Sequence, residues 1–483
     1  MSLDNFESLL NGVNDILWSY ILIVMLIGCA VLFTIRTRFV QFRMLGEMVR
    51  LLFTGPSSDT GKHPDGRRAA TKDRDSRSKK HISSFQAFSV ALASRIGTGN
   101  LAGVATAICI GGPGAVFWMW VIALLGSATA FVESTLAQLY KRKAKDAFIG
   151  GPAYYMKYGL GKAWMGVVFA VLMIMTFGLA NSSLQSNTIC AAWEKAFGID
   201  TAYFGMILTL LTLFVAFGGI HRVAKVSSMI VPTMAVAYMV LSLAVLLWNI
   251  SLLPAVLVTI VKSAFGMEQA AGGMIGLTII QGVKRGLFSN EAGEGSAPNA
   301  AATADVSHPV KQGLIQALGV FTDTLIVCSC TAFIILLSGV DYTAVNGVQL
   351  TQEALTSEIG SIGNPFIALM ILLFAFSTVI GNYYYGEANV RYITKSRIAL
   401  FVYRITAGAV VMIGSVITLN LAWSVTDVMM ALLTACNLIA ITPLSGQVLR
   451  LLKDYRRQRH QGRDPVFRRS QMPDISEKLD AWE

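Results

Sequence analysis

Charge is scarce in this chain. Asp, Glu, Lys and Arg make up 14% of its 483 residues while 54% are hydrophobic, where a soluble domain carries about 25% charged residues. That excludes a soluble globular protein and leaves an integral membrane one. Cysteine is scarce too. Cys29, Cys109, Cys190, Cys328, Cys330 and Cys436 lie in or beside apolar stretches, with neither metal-ligand nor disulfide spacing, and read as small packing residues. The histidines (His63, His81, His221, His308 and His460) fall in or near polar connections, so no imidazole relay for protons is indicated. No nucleophile elbow, phosphate-binding loop or metal-ligand cluster occurs, and nothing points to an enzyme. The N-terminus lacks a basic stretch before its first apolar run, so it reads as an uncleaved span, not a signal peptide.

What the chain has in abundance is apolar length. A spanning helix needs roughly 20 apolar residues, and eleven stretches qualify: Ile16–Ile35, Phe85–Ile110, Gly114–Tyr140, Trp164–Leu184, Ala202–Gly219, Val226–Trp248, Met274–Thr303, Leu314–Leu337, Pro365–Tyr384, Ile398–Leu419 and Trp423–Leu449. They predict an all-α integral membrane protein with one polytopic domain over residues 1–454. A polar, charge-dense segment at 54–81 reads as a flexible cytoplasmic loop, and residues 455–483 as a solvated cytoplasmic tail. The formal net charge is +11, but its placement is topological. Lys and Arg crowd the first loop (Arg36 to Lys80), then Lys141–Lys145, Arg222 and Lys225, Arg391–Arg397 and Arg450–Arg459. The alternate connections hold few, Lys195 and Lys262 among them. This positive-inside pattern sets the N-terminus outside and the C-terminus in the cytoplasm. It accounts for the basic surplus without nucleic acid and leaves a secondary attraction to membrane lipid.

Two spans are interrupted. Span 2 contains Ser94-Arg95-Ile96-Gly97-Thr98-Gly99-Asn100, and span 7 contains Phe288-Ser289-Asn290-Glu291-Ala292-Gly293-Glu294-Gly295-Ser296. In lipid every backbone polar group must be paired, so a broken helix survives only where it lines a buried or watery cavity. Paired breaks in corresponding positions point to a transporter's binding site. They divide the chain into an extra helix (16–35) and two blocks of five spans, 85–248 and 274–449. Five is odd, so the blocks have opposite orientation: a 5+5 inverted repeat with two discontinuous helices.

The first break offers backbone N–H groups at Gly97, Thr98, Gly99 and Asn100 to an anionic group. Carbonyls just before it, and the Asn100 side-chain oxygen, suit a hard cation such as Na⁺. Close packing through small residues is the competing explanation. The second is expected to unwind at Phe288-Ser289-Asn290, where free carbonyls at a helix C-terminus suit an ammonium. One break reading a carboxylate and the other an ammonium describes a zwitterionic amino acid, with Phe288 covering it. Phe177 on span 4 is a further substrate-binding candidate. Ser377 and Thr378 on span 9 are hydroxyls at membrane depth that bond their own helix or complete a cation site. The ionisable residues at membrane depth are Arg95, Glu133, Lys284, Arg285, Glu291, Glu294, Asp323, Arg404 and Asp427. Arg95 and Glu291, on the cytoplasmic sides of their breaks, are candidates for a gate ion pair.

The run Ser94 to Ala105, then Gly111-Gly112-Pro113-Gly114-Ala115-Val116-Phe117-Trp118-Met119-Trp120, resembles the bacterial and archaeal alanine or glycine:cation symporter family. Gly151-Pro152-Ala153-Tyr154-Tyr155-Met156 and Phe288 to Pro298 are similar to that family's patterns as well. The likeness spans nearly the whole chain. It implies a leucine-transporter-type fold, Na⁺ as coupling ion with no other cofactor, uptake of small neutral amino acids such as alanine and glycine by symport, and a plasma-membrane location. It also implies that Asn100 helps bind Na⁺, that the amides of Gly97–Asn100 bind the substrate carboxylate, and that the carbonyls of Ala93 and Ile96 with Ser377 and Thr378 form a second Na⁺ site. Arg95 is a departure: the wider fold commonly has a small residue there. A larger neutral amino acid such as glutamine, or a channel-like pore, are the alternatives.

Overall fold

The computed structural model describes residues 3–53, 82–144, 148–267 and 273–482; the predicted loop at 54–81 lies outside them. The described chain is helical apart from one two-stranded hairpin, Arg142–Lys143 with Phe148–Ile149. The helices are α1 (Glu7–Arg36), α2 (Leu45–Phe53), α3 (Ser84–Arg95), α4 (Gly99–Gly111), α5 (Gly114–Leu139), α6 (Ala163–Phe197), α7 (Thr201–Ala216), α8 (Gly219–Trp248), α9 (Leu253–Ala264), α10 (Gly273–Asn290), α11 (Ala297–Ala301), α12 (Pro309–Leu337), α13 (Val348–Ile359), α14 (Gly363–Ile393), α15 (Arg397–Val416) and α16 (Leu419–His460). Among the described residues, eight helices are long and apolar enough to cross a membrane. The other three predicted spans are two that break, α3 with α4 and α10 with α11, and the 16-residue α7.

Helix α3 starts on a capping box: the Gln86 N–H donates to Ser83 Oγ at 3.1 Å and the Ser83 N–H to Gln86 Oε1 at 3.0 Å. It stops at Ile96, whose backbone turns extended, and the chain resumes at Gly99 as a π-helical stretch over Gly99–Gly103. The second break is longer and starts later than expected. Helix α10 continues through Phe288, Ser289 and Asn290, and unwinding occupies Glu291–Ser296. Three left-handed residues stop the helix there: Glu291 at φ +57°, Gly293 at +99° and Gly295 at +78°. Glycine takes such angles freely and L-residues rarely do.

Two packing groups form. Helix α5 packs on α10, α12 and α1, and α10 on α4; α6 packs on α14 and α15, and α7 on α15. Helix α3 joins them through α8 and α14. The tail differs from the solvated segment expected. Phe467, Met472, Ile475, Leu479 and Trp482 are buried, and the Trp482 indole N–H donates to the carbonyls of Gln138 (3.2 Å) and Leu139 (3.1 Å) at the end of α5. Apolar side chains every few residues, too widely spaced to read as a helix, hold it there.

Candidate functional site

The two breaks meet around one carboxylate. Asp323 lies in a π-helical stretch of α12, Phe321–Cys328, and is fully buried. The Asn100 side-chain amide donates to its Oδ1 at 2.7 Å, and the Ser289 hydroxyl to its Oδ2, also at 2.7 Å. Thr324 Oγ1 donates to Oδ2 at 2.8 Å. The Cys328 thiol stands 3.1 Å from Ser289 Oγ and 3.3 Å from Asn100 Nδ2. Three elements thus converge on one buried negative group. No ion pair reaches Asp323 among the described residues, and a buried carboxylate held by hydrogen bonds alone favours a cation beside it.

The backbone of the first break is tied down by two side chains. The Gly97 N–H donates to Asn100 Oδ1 at 2.9 Å, and the Thr98 N–H to Gln185 Oε1 at 2.9 Å. Gln185 on α6 is in turn oriented through its amide nitrogen by Asn181 Oδ1 at 2.7 Å. Amide oxygens therefore stand where a carboxylate is expected. The approach is close: a Cβ on Gly97 would meet the Thr378 hydroxyl and lie 2.8 Å from Gln185 Oε1, and one on Gly99 would lie 3.1 Å from both Phe288 Cδ1 and Ser289 Cα. Three π-helical stretches serve this region: Gly99–Gly103 carries Asn100, Ile174–Asn181 carries Asn181, and Phe321–Cys328 carries Asp323. Such stretches aim side chains off the helical repeat and are frequent at functional sites.

The second cation candidate comes together in three of its four groups. Thr378 Oγ1 lies 2.9 Å from the Ala93 carbonyl and 3.2 Å from that of Ile96. Ser377 does not join them; its hydroxyl bonds Phe374 O at 2.8 Å within α14 and faces the Met234 sulfur.

At Phe288–Asn290 the expected acceptors are present by a route other than unwinding. The Ala292 N–H goes to Asn290 Oδ1, the Gly293 N–H to Glu133 Oε1 and the Glu294 N–H to Glu291 O. The carbonyls of Phe288, Ser289 and Asn290 thereby lose their helical donors. Phe288 meets Trp423 edge to face, with centroids 4.8 Å apart. Over Trp423 sits Arg285, 3.8 Å from the ring, bonded through two nitrogens to Asp427 at 3.0 and 3.1 Å; Lys284 reaches Asp427 at 2.7 Å. Aromatic pair and ion cluster lie on the Gly273 side of Ser289 along α10. Phe177 is buried edge to face with Tyr385, 5.7 Å between centroids, and makes no hydrogen bond through its side chain.

Toward α11 the expected ion pair is replaced. Glu291 Oε1 accepts from Ser94 Oγ at 2.6 Å and Oε2 from Ser296 Oγ at 2.5 Å, while Arg95 donates through one nitrogen to the Gln316 carbonyl at 3.1 Å. One α12 carbonyl, that of Gln316, holds the buried Arg95.

Comparison with known proteins decides the lineage. The profile of the sodium:alanine symporter family matches residues 3–469. The chain belongs to that family. It is 51% identical to the probable sodium/glutamine symporter GlnT of Bacillus subtilis, over 95% of this chain and 93% of the relative. It is 49% identical to the amino-acid carrier protein AlsT of the same organism, over 99% and 98%, and 37% identical to the sodium/alanine symporter AgcS of Methanococcus maripaludis, over 92% and 96%. Among solved structures it shares the fold of MhsT in complex with L-phenylalanine (TM-score 0.52, 14% identity, 82% of this chain and 92% of that one) and of a Na⁺-coupled sialic acid symporter (TM-score 0.50, 14% identity, 92% and 96%). These are leucine-transporter-type folds; the family and the long apolar helices make this chain a multi-pass membrane transporter. Sequence reading missed the parts of its site that lie far from the breaks: Gln185, Cys328, Trp423 and the central place of Asp323. Asp323 stands out in the sequence as an ionisable residue at membrane depth; nothing in its spacing ties it to Asn100, 223 residues away.

Proposed function

We propose that the chain is a sodium-coupled symporter taking up small neutral amino acids, alanine and glycine foremost, by alternating access. The observation that carries the reading is the buried Asp323 between the two breaks, next to released carbonyls and close-packed glycine backbone. Asp323 with the carbonyls of Phe288 and Ser289 holds the ammonium. The N–H groups at Gly97–Asn100 hold the carboxylate once Gln185 yields its place on Thr98. Na⁺ sits between Thr378 Oγ1 and the carbonyls of Ala93 and Ile96, with Asn100 joining a second ion near the substrate. The Phe288–Trp423 pair and the Arg285–Asp427 cluster open and close one side; Ser94, Glu291 and Ser296 do so on the other. The eleven crossings, the inverted 5+5 arrangement, an external N-terminus, a cytoplasmic C-terminus and the bacterial or archaeal inner membrane belong to the same proposal, resting on the basic loops and the paired breaks.

The 51% identity to a probable glutamine symporter favours glutamine as the second reading. Counterflow of labelled alanine, glycine and glutamine in proteoliposomes, with Na⁺ and with K⁺ in its place, separates them: alanine exchange only with Na⁺ supports the first, and preferential glutamine exchange replaces it. Exchange that neither saturates nor needs Na⁺ rejects symport. Because both charged ends are read, alanine methyl ester and N-acetylalanine should compete at least tenfold less well than alanine, since an unpaired buried partner costs about 1–3 kcal/mol.

A further inference from the structure

At the end of α1 the chain reverses through Arg38 and Phe39, both left-handed at φ +56° and +59°. A phenylalanine at such an angle is a steric outlier, and a structure that keeps one over-determines it. The reversal brings α2 alongside the last turns of α16, enclosing a cleft of 440 Å³. Arg38, Arg43, Arg456, Arg459 and His460 line it, with Glu47 as its one carboxylate. Glu47 is saturated: Tyr455 donates to Oε1 at 2.6 Å, Arg50 bonds both oxygens at 2.8 and 2.9 Å, and Arg459 reaches Oε2 at 3.2 Å. The guanidinium groups of Arg38, Arg43 and Arg456 make no hydrogen bond or ion pair among the described residues. Among the described residues the cleft therefore holds three guanidinium groups without a counter-charge, the side chain best shaped for bidentate contact with a phosphate.

Its rim is apolar. Phe39 and Phe42, interleaved with lining residues, are about half exposed, at 51% and 49%, and Phe53 is 81% exposed. Helix α2 buries Met48 and Leu51 on the protein side while leaving Leu45, Val49 and Phe53 outward. Exposed apolar side chains beside Glu47 and Arg50 on a short helix suit the membrane interface. At 42 residues α16 is about twice the length needed to cross, which places its Arg456–His460 end beyond the hydrocarbon.

We propose that this cleft binds the headgroup of an anionic phospholipid, with the phosphate on Arg38, Arg43 and Arg456 and the acyl chains along Phe39, Phe42 and α2. Basic pockets between spans on the cytoplasmic side suit such headgroups. Binding does not depend on which solute is carried; it rests on the membrane-spanning reading and on the cytoplasmic placement of the basic loops, and its readout is independent of transport.

The test is native mass spectrometry and fluorescence titration of the purified full-length protein with phosphatidylglycerol, cardiolipin and phosphatidylcholine. Wild type should retain the anionic lipids through washing and release phosphatidylcholine. The variant R38Q/R43Q/R456Q should bind phosphatidylglycerol at least tenfold more weakly, and R38K/R43K/R456K should recover part of it. R463Q/R469Q/K478Q, with equal loss of charge in the tail, should bind as wild type. Size-exclusion profile and melting temperature confirm folding, and the single variant R456Q serves should the triple fail. Equal retention by the cleft and tail variants would overturn the site, because the attraction is then general. Inorganic phosphate binding as tightly as the lipid would overturn the phospholipid as occupant.

Discussion

At the residue scale, hydroxyls one position apart on α14 make different contacts. Thr378 Oγ1 is within coordinating reach of the Ala93 and Ile96 carbonyls, and Ser377 Oγ is not. Thr378→Ala should raise the Na⁺ concentration for half-maximal uptake about tenfold, the worth of one oxygen contact, with Thr378→Ser near wild type. Ser377→Ala should leave it unchanged; equal sensitivity of the two would move the ion elsewhere. Asp323→Asn removes the one carboxylate shared by Asn100 and Ser289. Alanine counterflow should fall at least tenfold in protein that still runs as a single species. Gly99→Val places branched methyls where a single Cβ already lies 3.1 Å from Ser289 Cα, so counterflow should be lost. Normal alanine exchange by that variant would show that the break is packing alone.

At the scale of the element, the second break is built, not frayed. Glu133 on α5 accepts from the Gly293 and Gly295 N–H groups at 3.3 and 3.2 Å and from Asn437 Nδ2 at 2.8 Å; Asn437 also bonds Gly293 O at 2.9 Å and accepts from Tyr155. Burial without these partners would strand the N–H groups that unwinding releases. Glu133→Gln replaces an acceptor oxygen with a donor facing those amides, and should lower the melting temperature and slow counterflow, at about 1–3 kcal/mol. Gly295→Ala meets both a left-handed φ and a Cβ only 2.7 Å from Pro152 Cγ, so it should destabilise by a similar amount. Thermal unfolding in detergent reads both. The glycines and charge of this segment make its interruption legible in the sequence, but its first residue is not. Helical pairing through Asn290 is settled by where the N–H groups of 292–294 find acceptors, and Glu133 and Asn290's own side chain supply two of these.

At the scale of the molecule, the segment after α16 straps the basic ends of several helices. Arg450 pairs with Asp474 at 2.8 Å, Lys311 with Asp464 at 2.7 Å, the Lys143 N–H with Asp480 at 2.9 Å, and the Phe467 N–H with Ser307 O at 2.8 Å. The Trp482 ring also lies against Lys141, with Nζ 4.6 Å from its centroid. Exposed ion pairs contribute little, so the buried Trp482, Leu479 and Met472 carry the attachment. Trp482→Ala should leave insertion intact and let trypsin cut at Arg468, Arg469 and Lys478 in inside-out vesicles, where wild type resists. Equal cleavage rates would show that the strap is not held by its tryptophan.

Much of this protein follows from its sequence by short-range physics. Long apolar runs have one stable form in lipid, because only a helix pairs its own backbone there; basic loops bias orientation; glycine and charge inside a run interrupt it. The membrane class and the two breaks are readable in that way; the sodium:alanine symporter lineage, and with it the pairing of Thr378 with the first break, is readable only through the resemblance of its motifs to that family. What the tertiary structure alone decided is which distant residues complete the site. Asp323 and Cys328 enter because a π-helical stretch turns them toward Asn100 and Ser289. Gln185 enters because α6 packs along α14, Ser377 leaves because its hydroxyl faces the Met234 sulfur of α8 and not the first break, and Arg95 parts from Glu291 because a carbonyl of α12 is the nearer partner. Each depends on contacts between segments up to hundreds of residues apart, and periodicity along a chain carries no record of which helix lies beside which.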